Sequence, residues 1–111
     1  MEGFEFLNTA MGLEYCADDE DIYREVLEGY VEEDRRSELE ALLAKEDWAE
    51  YRVIVHAVKS TSLTIGAEEL SDKAKALELA AADGDGSFVK ANHQEMMDMY
   101  TDILTKIQGA L

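Results

Sequence analysis

Trp48-Ala49-Glu50-Tyr51-Arg52-Val53-Ile54-Val55-His56-Ala57-Val58-Lys59-Ser60-Thr61-Ser62-Leu63-Thr64-Ile65-Gly66 decides how this chain is read. Trp48, Tyr51, Val55, Val58, Ser62 and Ile65 recur at alternating steps of three and four, and Ser62 is the only polar member of the set. At about 100° per residue those positions form one apolar stripe, widened by Ile54 and Thr61. The spacing predicts a helix from Trp48 to Ile65, roughly 27 Å long at about 1.5 Å per residue. Gly66 is placed to supply its left-handed cap. His56 lies about 140° from the centre of the stripe, so the same geometry that buries Val55 and Val58 turns the imidazole to solvent.

The face around His56 follows from the same wheel. Ala49, Arg52, Val53, Lys59, Ser60 and Leu63 stand three, four or seven residues away. One imidazole is thus surrounded by two cations, two small residues and two exposed aliphatics, on a chain whose formal net charge is −16. A neutral imidazole is a nucleophile, and a phosphoryl group placed on it carries close to two negative charges. Lys59, one turn on, is positioned to balance them. Val53, Ala57 and Leu63 are exposed apolar candidates for a partner surface, with Ala49 small enough to admit it. Arg52 is suited either to steering an acidic partner or to a plain surface ion pair.

With an exposed His56, Lys59 one turn later, the small Ser60 after it and Gly66 closing the helix, the segment resembles the histidine phosphotransfer (HPt) domains of bacterial and fungal two-component phosphorelays. Leu77-Glu78 in the next helix matches an apolar-acidic pair of the family, and Ile22-Tyr23-x-x-Val26-Leu27-x-x-Tyr30 looks like its first long helix. The resemblance covers roughly residues 8 to 108. Ser60 departs from it, because the family usually has Gly there; its hydroxyl is placed to bond back to the carbonyl of His56. The resemblance implies a cytoplasmic, monomeric phosphoryl carrier without catalytic activity of its own. His56 is then the phosphorylated residue, Lys59 the balancing charge and Ser60 the small neighbour. The implied partners are response-regulator receiver domains and a hybrid sensor histidine kinase. The carrier needs no cofactor, and the receiver brings Mg²⁺. An alternative is a helical docking module that binds receivers or other signalling proteins without carrying phosphate. Another is the phosphorylated domain of a larger kinase, although the initiating Met1 points to a free-standing protein.

Composition sets the outer limits. A chain of 111 residues makes one domain, here 1–111 with a core from about 8 to 108, able to bury roughly two thirds of its unfolded surface. The absence of proline and the abundance of Ala, Leu and Glu favour helices. The acidic excess opposes binding to nucleic-acid phosphates or anionic lipid. The single Cys16 cannot form an internal disulfide, as suits a reducing compartment. No apolar run approaches the roughly 20 residues of a membrane span, and Met1-Glu2-Gly3 lacks the basic start of a secretory signal.

The remaining helices are read from periodicity and caps. A short one covers about Asn8 to Cys16. Asp18 to Asp21 open a longer one carrying Ile22, Tyr23, Val26, Leu27, Tyr30 and Val31, then Leu39, Leu42 and Leu43; the polar run Glu32 to Glu38 interrupts the stripe and marks a bend or a protrusion. Gly29 inside it costs about 1 kcal/mol relative to Ala without visible cause. A helix from Ala67 to Ala82 buries Leu70, Ala74, Leu77 and Ala81. Asp83-Gly84-Asp85-Gly86 is a turn, with Ser87 as the expected N-cap of the last helix. That helix has the seam Val89, His93, Met96, Tyr100, Ile103 and Ile107, which makes His93 a hydrogen-bonded core residue. The expected fold is all-α: an antiparallel up-down-up-down four-helix bundle with the short N-terminal helix packed across it. Asp83 and Asp85 do not begin a calcium loop, since its sixth and twelfth positions would be Phe88 and Gln94. Nor is there a di-iron Glu-x-x-His pair, because Val53 and Lys90 precede the two histidines.

Overall fold

Carboxylate and amide side chains start most of the helices. A computed structural model describes residues 1–111 and contains α1 (Thr9–Tyr15), α2 (Glu20–Glu32), α3 (Arg36–Lys45), α4 (Trp48–Thr64), α5 (Glu68–Ala82) and α6 (Gly86–Ala110), with no strand. Asn8, Asp19, Asp47 and Asp85 accept hydrogen bonds from first-turn amides of α1, α2, α4 and α6. Each such cap contributes about 1 kcal/mol by satisfying a donor the helix itself leaves open. The cap of α6 differs from expectation. Asp85, not Ser87, takes it, because its Oδ1 reaches the amide of Phe88 at 3.1 Å and the helix begins at Gly86. Gly86 is required there by close approach, since a Cβ would stand 2.8 Å from the Trp48 ring.

The long helix expected from Asp18 to Leu43 is two helices. Asp34 caps the break from inside: its carboxylate accepts from the Arg36 amide at 3.0 Å and pairs with the Arg36 guanidinium at 2.6 Å. The Arg35 amide donates to the Tyr100 hydroxyl at 3.1 Å, fixing the junction to α6. Ile22, expected on the apolar stripe of α2, is exposed, whereas Tyr23, Leu27 and Tyr30 are buried.

The core forms where the stripes meet. On α4, Tyr51, Val55, Val58, Ser62 and Ile65 are buried, Trp48 and Ile54 are half-buried, and Thr61 faces out. Ser62 fits among apolar neighbours because its hydroxyl pairs with that of Tyr30 at 2.8 Å. Tyr23 donates to the Ile65 carbonyl at 2.6 Å while Tyr30, later on α2, meets the earlier Ser62, so α2 runs antiparallel to α4. The expected seam positions of α5 and α6 are all buried. Phe4 and Leu7 are buried too, so the core reaches beyond residue 8 toward the N-terminus.

Gly66 joins α4 to α5 in the left-handed conformation at φ +89°, with the Ala67 amide returning to the Ser62 carbonyl at 2.8 Å. Its carbonyl accepts from the Asn8 amide at 2.9 Å, and a Cβ would stand 2.2 Å from the Asn8 carbonyl oxygen. One glycine therefore ends α4 and seats α1. The resulting antiparallel α4–α5 pair carries the site.

Candidate functional site

Val55 and Val58 are drawn into the core, and the helix between them turns His56 outward. Its side chain is 56 % exposed. Glu78, reaching across from α5, meets it: Oε1 lies 2.7 Å from His56 Nδ1, and Oε2 lies 2.8 Å from Lys59 Nζ. The Ser71 hydroxyl donates to the Lys59 carbonyl at 2.9 Å and ties α5 to α4 beside the same ring. Glu78 is only 16 % exposed and Lys59 25 %. Lys59, expected on the open surface, is thus half-buried and held by a carboxylate.

Burial pushes the Glu78 carboxyl upward, but the neighbouring Lys59 ammonium and the hydrogen bond with His56 outweigh it and hold the group below the usual carboxylate range. Its contribution to stability is therefore present above its unfolded pKa and is lost as pH falls through its lowered folded value. Oε2 is out of water and makes no directed hydrogen bond, so its contact with Lys59 is an ion pair by proximity. An ionised carboxylate only accepts, so Nδ1 of His56 carries the proton and donates to Oε1. In the neutral ring Nε2 is then the lone-pair nitrogen, and no protein group bonds to it.

A nucleophilic nitrogen, oriented by a carboxylate through its other nitrogen and flanked by a half-buried cation, is equipped to hold a phosphoryl group. Among known protein families, that of the Hpt domain matches residues 24–108. The chain belongs to that family. No curated protein and no solved structure matches it. Hpt domains carry phosphoryl groups in two-component signalling, where they meet receiver domains and histidine kinases.

The other residues expected at the site of this Hpt domain fall into two groups. Ala49, Arg52, Val53, Ser60 and Leu63 are exposed on the His56 side of α4. Ala57 is not: it is half-buried, lining a cleft of about 220 Å³ between α2 and α4 with Gly29 and Thr61. The hydroxyl back-bond expected of Ser60 is absent, and Thr61 and Thr64 make such bonds instead, to Ala57 and Ser60. Sequence reasoning missed Glu78 as a site residue, although Leu77-Glu78 had stood out as a pair. Its distance to His56 depends on the register between α4 and α5, which local periodicity does not encode.

His93 occupies the opposite environment, at 2 % exposed. Tyr51 Oη lies 2.8 Å from its Nδ1, and Glu40 Oε1 lies 3.0 Å from its Nε2. Burial, with the Glu40 charge adding to it, raises the Tyr51 phenol above its ordinary range, so it stays a donor to Nδ1 while Nε2 donates to Glu40. Both nitrogens are occupied, and neither is open to a partner. No group of three or more His, Cys, Asp or Glu side chains is arranged to hold a metal ion, and no helix is long and apolar enough to cross a membrane.

Proposed function

We propose that this Hpt domain is a phosphorelay intermediate in which His56 receives and returns the phosphoryl group through Nε2. The observation that carries the reading is the Glu78 contact: a carboxylate on Nδ1 fixes the tautomer that leaves Nε2 nucleophilic. In the forward step Nε2 attacks phosphorus in line. The N–P bond forms as the acyl-phosphate P–O bond breaks, and the receiver aspartate leaves as a carboxylate. The Nδ1 proton stays on the ring, donated to Glu78. The return step, to a second receiver aspartate, reverses these bonds. The receiver supplies Mg²⁺ and most of the electrostatic stabilisation, while this chain supplies a positioned imidazole and the Lys59 cation.

The same reading has the chain work as a monomer in the cytoplasm, taking phosphate from a hybrid sensor kinase or its receiver. It acts as a carrier, not as an enzyme. The contacts support a four-armed up-down-up-down arrangement in which α2 and α3 together form the first arm, α4, α5 and α6 the others, and α1 packs against α2 and α4.

The test is incubation with phosphorylated receivers, with the label scored for acid lability and base stability. His56→Gln is expected to abolish it while leaving helicity and melting intact, because the ring is exposed. A His56 variant still labelled on histidine would show that the site is assigned wrongly.

A further inference from the structure

The cations of this chain are unevenly engaged. Arg35, Arg36, Lys59, Lys73, Lys90 and Lys106 each pair with a carboxylate. Arg24 lies over the Phe4 ring at 5.4 Å. Of the ten Lys and Arg residues that leaves Lys45, Arg52 and Lys75, each without an anion in a chain with 26 acidic residues. Two of those three belong to the surface around His56. Arg52 stands one turn before His56 on α4. Lys75 stands one turn before Glu78 on α5, and Glu78, its natural i,i+3 partner, has both oxygens engaged by His56 and Lys59.

The α5 side of this surface is fixed to α4 by two bonds, the Ser71 hydroxyl donating to the Lys59 carbonyl and His56 Nδ1 donating to Glu78. At about 100° per residue, Lys75 and Ala82 share the face of Ser71 and Glu78, with Leu79 at its outer flank. All three are exposed, and Leu79 is 58 % so. Across the seam on α4 stand the exposed Val53 and Leu63. Free positive charge and large exposed aliphatics thus meet around one imidazole on an otherwise acidic surface, the composition of a docking patch.

We propose that the receiver docks across the α4–α5 seam rather than on α4 alone. Lys75 and Arg52 bracket His56, Leu79 makes an apolar contact, and Lys75 helps select the receiver. The matching receiver surface carries carboxylates around an apolar patch next to its phosphorylated aspartate. This rests on the phosphocarrier reading above. A second copy of this chain is a poorer occupant, since two chains of net charge −16 repel each other.

The experiment measures binding as well as transfer. Each receiver domain of the source organism is titrated against the wild-type chain, and the tightest binder is then titrated against Lys75→Glu, Leu79→Ala and, as a remote control on α3, Lys45→Glu. Lys75→Glu is expected to slow association by about tenfold at low salt, with the difference shrinking as salt rises. Leu79→Ala weakens binding by about fivefold, and the control binds as wild type. Circular dichroism checks that each variant is folded. Equal binding by wild type, Lys75→Glu and Leu79→Ala overturns the docking surface and leaves the phosphocarrier reading standing. Weakened binding by both, with no phosphohistidine formed, supports the surface and removes that reading. No receiver bound by the wild-type chain overturns both, and an effect on self-association alone assigns the patch to a second copy instead.

Discussion

The ammonium of Lys59 is 2.8 Å from Glu78 Oε2 and one turn from the His56 ring, so one cation stands between a resident anion and the proposed incoming one. Lys59→Ala is expected to slow phosphotransfer by the loss of a charge-assisted contact, worth roughly 1.5–3 kcal/mol. Because it also strands Oε2 of Glu78 out of water, it should lower stability by about 1 kcal/mol, more than an exposed lysine would. Transfer rates measured well below the melting temperature separate the two effects. Unaltered rates would make the cation incidental to the chemistry. At His93 the expectation runs the other way. His93→Gln should leave the chain able to accept phosphate but cost about 1–3 kcal/mol, because Tyr51 and Glu40 lose a partner that bonded both. Thermal melts and receiver labelling on the same sample check the pair of outcomes. Both histidines could be sorted from sequence because exposure follows from phase on a helix: His56 falls opposite the stripe and His93 on it. Glu78 and the partial burial of Lys59 could not, since each depends on how α5 lies against α4.

Helices and their ends were legible to different degrees. The stripes of α4, α5 and α6 placed most of the buried residues, because a 3.6-residue period is a property of each segment alone, but they missed Ser71, Ala80, Met97 and Leu104. Breaks depend on partners. The polar run Glu32 to Glu38 marked a bend, but the complete break at Asp34 is held by the Arg35–Tyr100 bond, whose partners are 65 residues apart. Ser87 was expected to cap α6, but Asp85 does, and the Trp48 ring lies close enough to the first residue, Gly86, to leave no room for a Cβ, again a contact between elements. Glycines show the same division. Gly66 was legible as a cap, and its second role, seating Asn8, was not. Gly66→Ala is expected to destabilise by about 2 kcal/mol or more, since φ is +89° and the added carbon meets the Asn8 carbonyl. Gly29, inside α2, is the contrasting case. A Cβ there meets nothing within 4 Å, so Gly29→Ala should stabilise by about 1 kcal/mol. Chemical denaturation of the two variants checks both signs.

Over the whole molecule, the net charge of −16 is spread on a body measuring 40 × 22 × 18 Å. At about 10 mM salt the Debye length is roughly 30 Å, so carboxylates on opposite faces repel one another across the fold. At about 1 M it is roughly 3 Å, and only contacts survive. Two terms compete as salt rises. Screening weakens the surface ion pairs, such as Lys73–Glu95 and Lys106–Asp102, but such exposed pairs contribute about 0–1 kcal/mol each. Screening also relieves a repulsion shared by the whole excess of carboxylates, which the unfolded chain escapes by expanding. The half-buried Glu78 contacts are shielded least, because their oxygens are away from the solution. Repulsion should therefore win, and the melting temperature at neutral pH should rise by about 5 °C between those salt concentrations, the shift that about 1 kcal/mol produces in a domain of this size. Melts in a neutral salt series check this. A melting temperature that falls with salt would mean that the ion pairs, not the self-repulsion, set the electrostatic stability of the bundle.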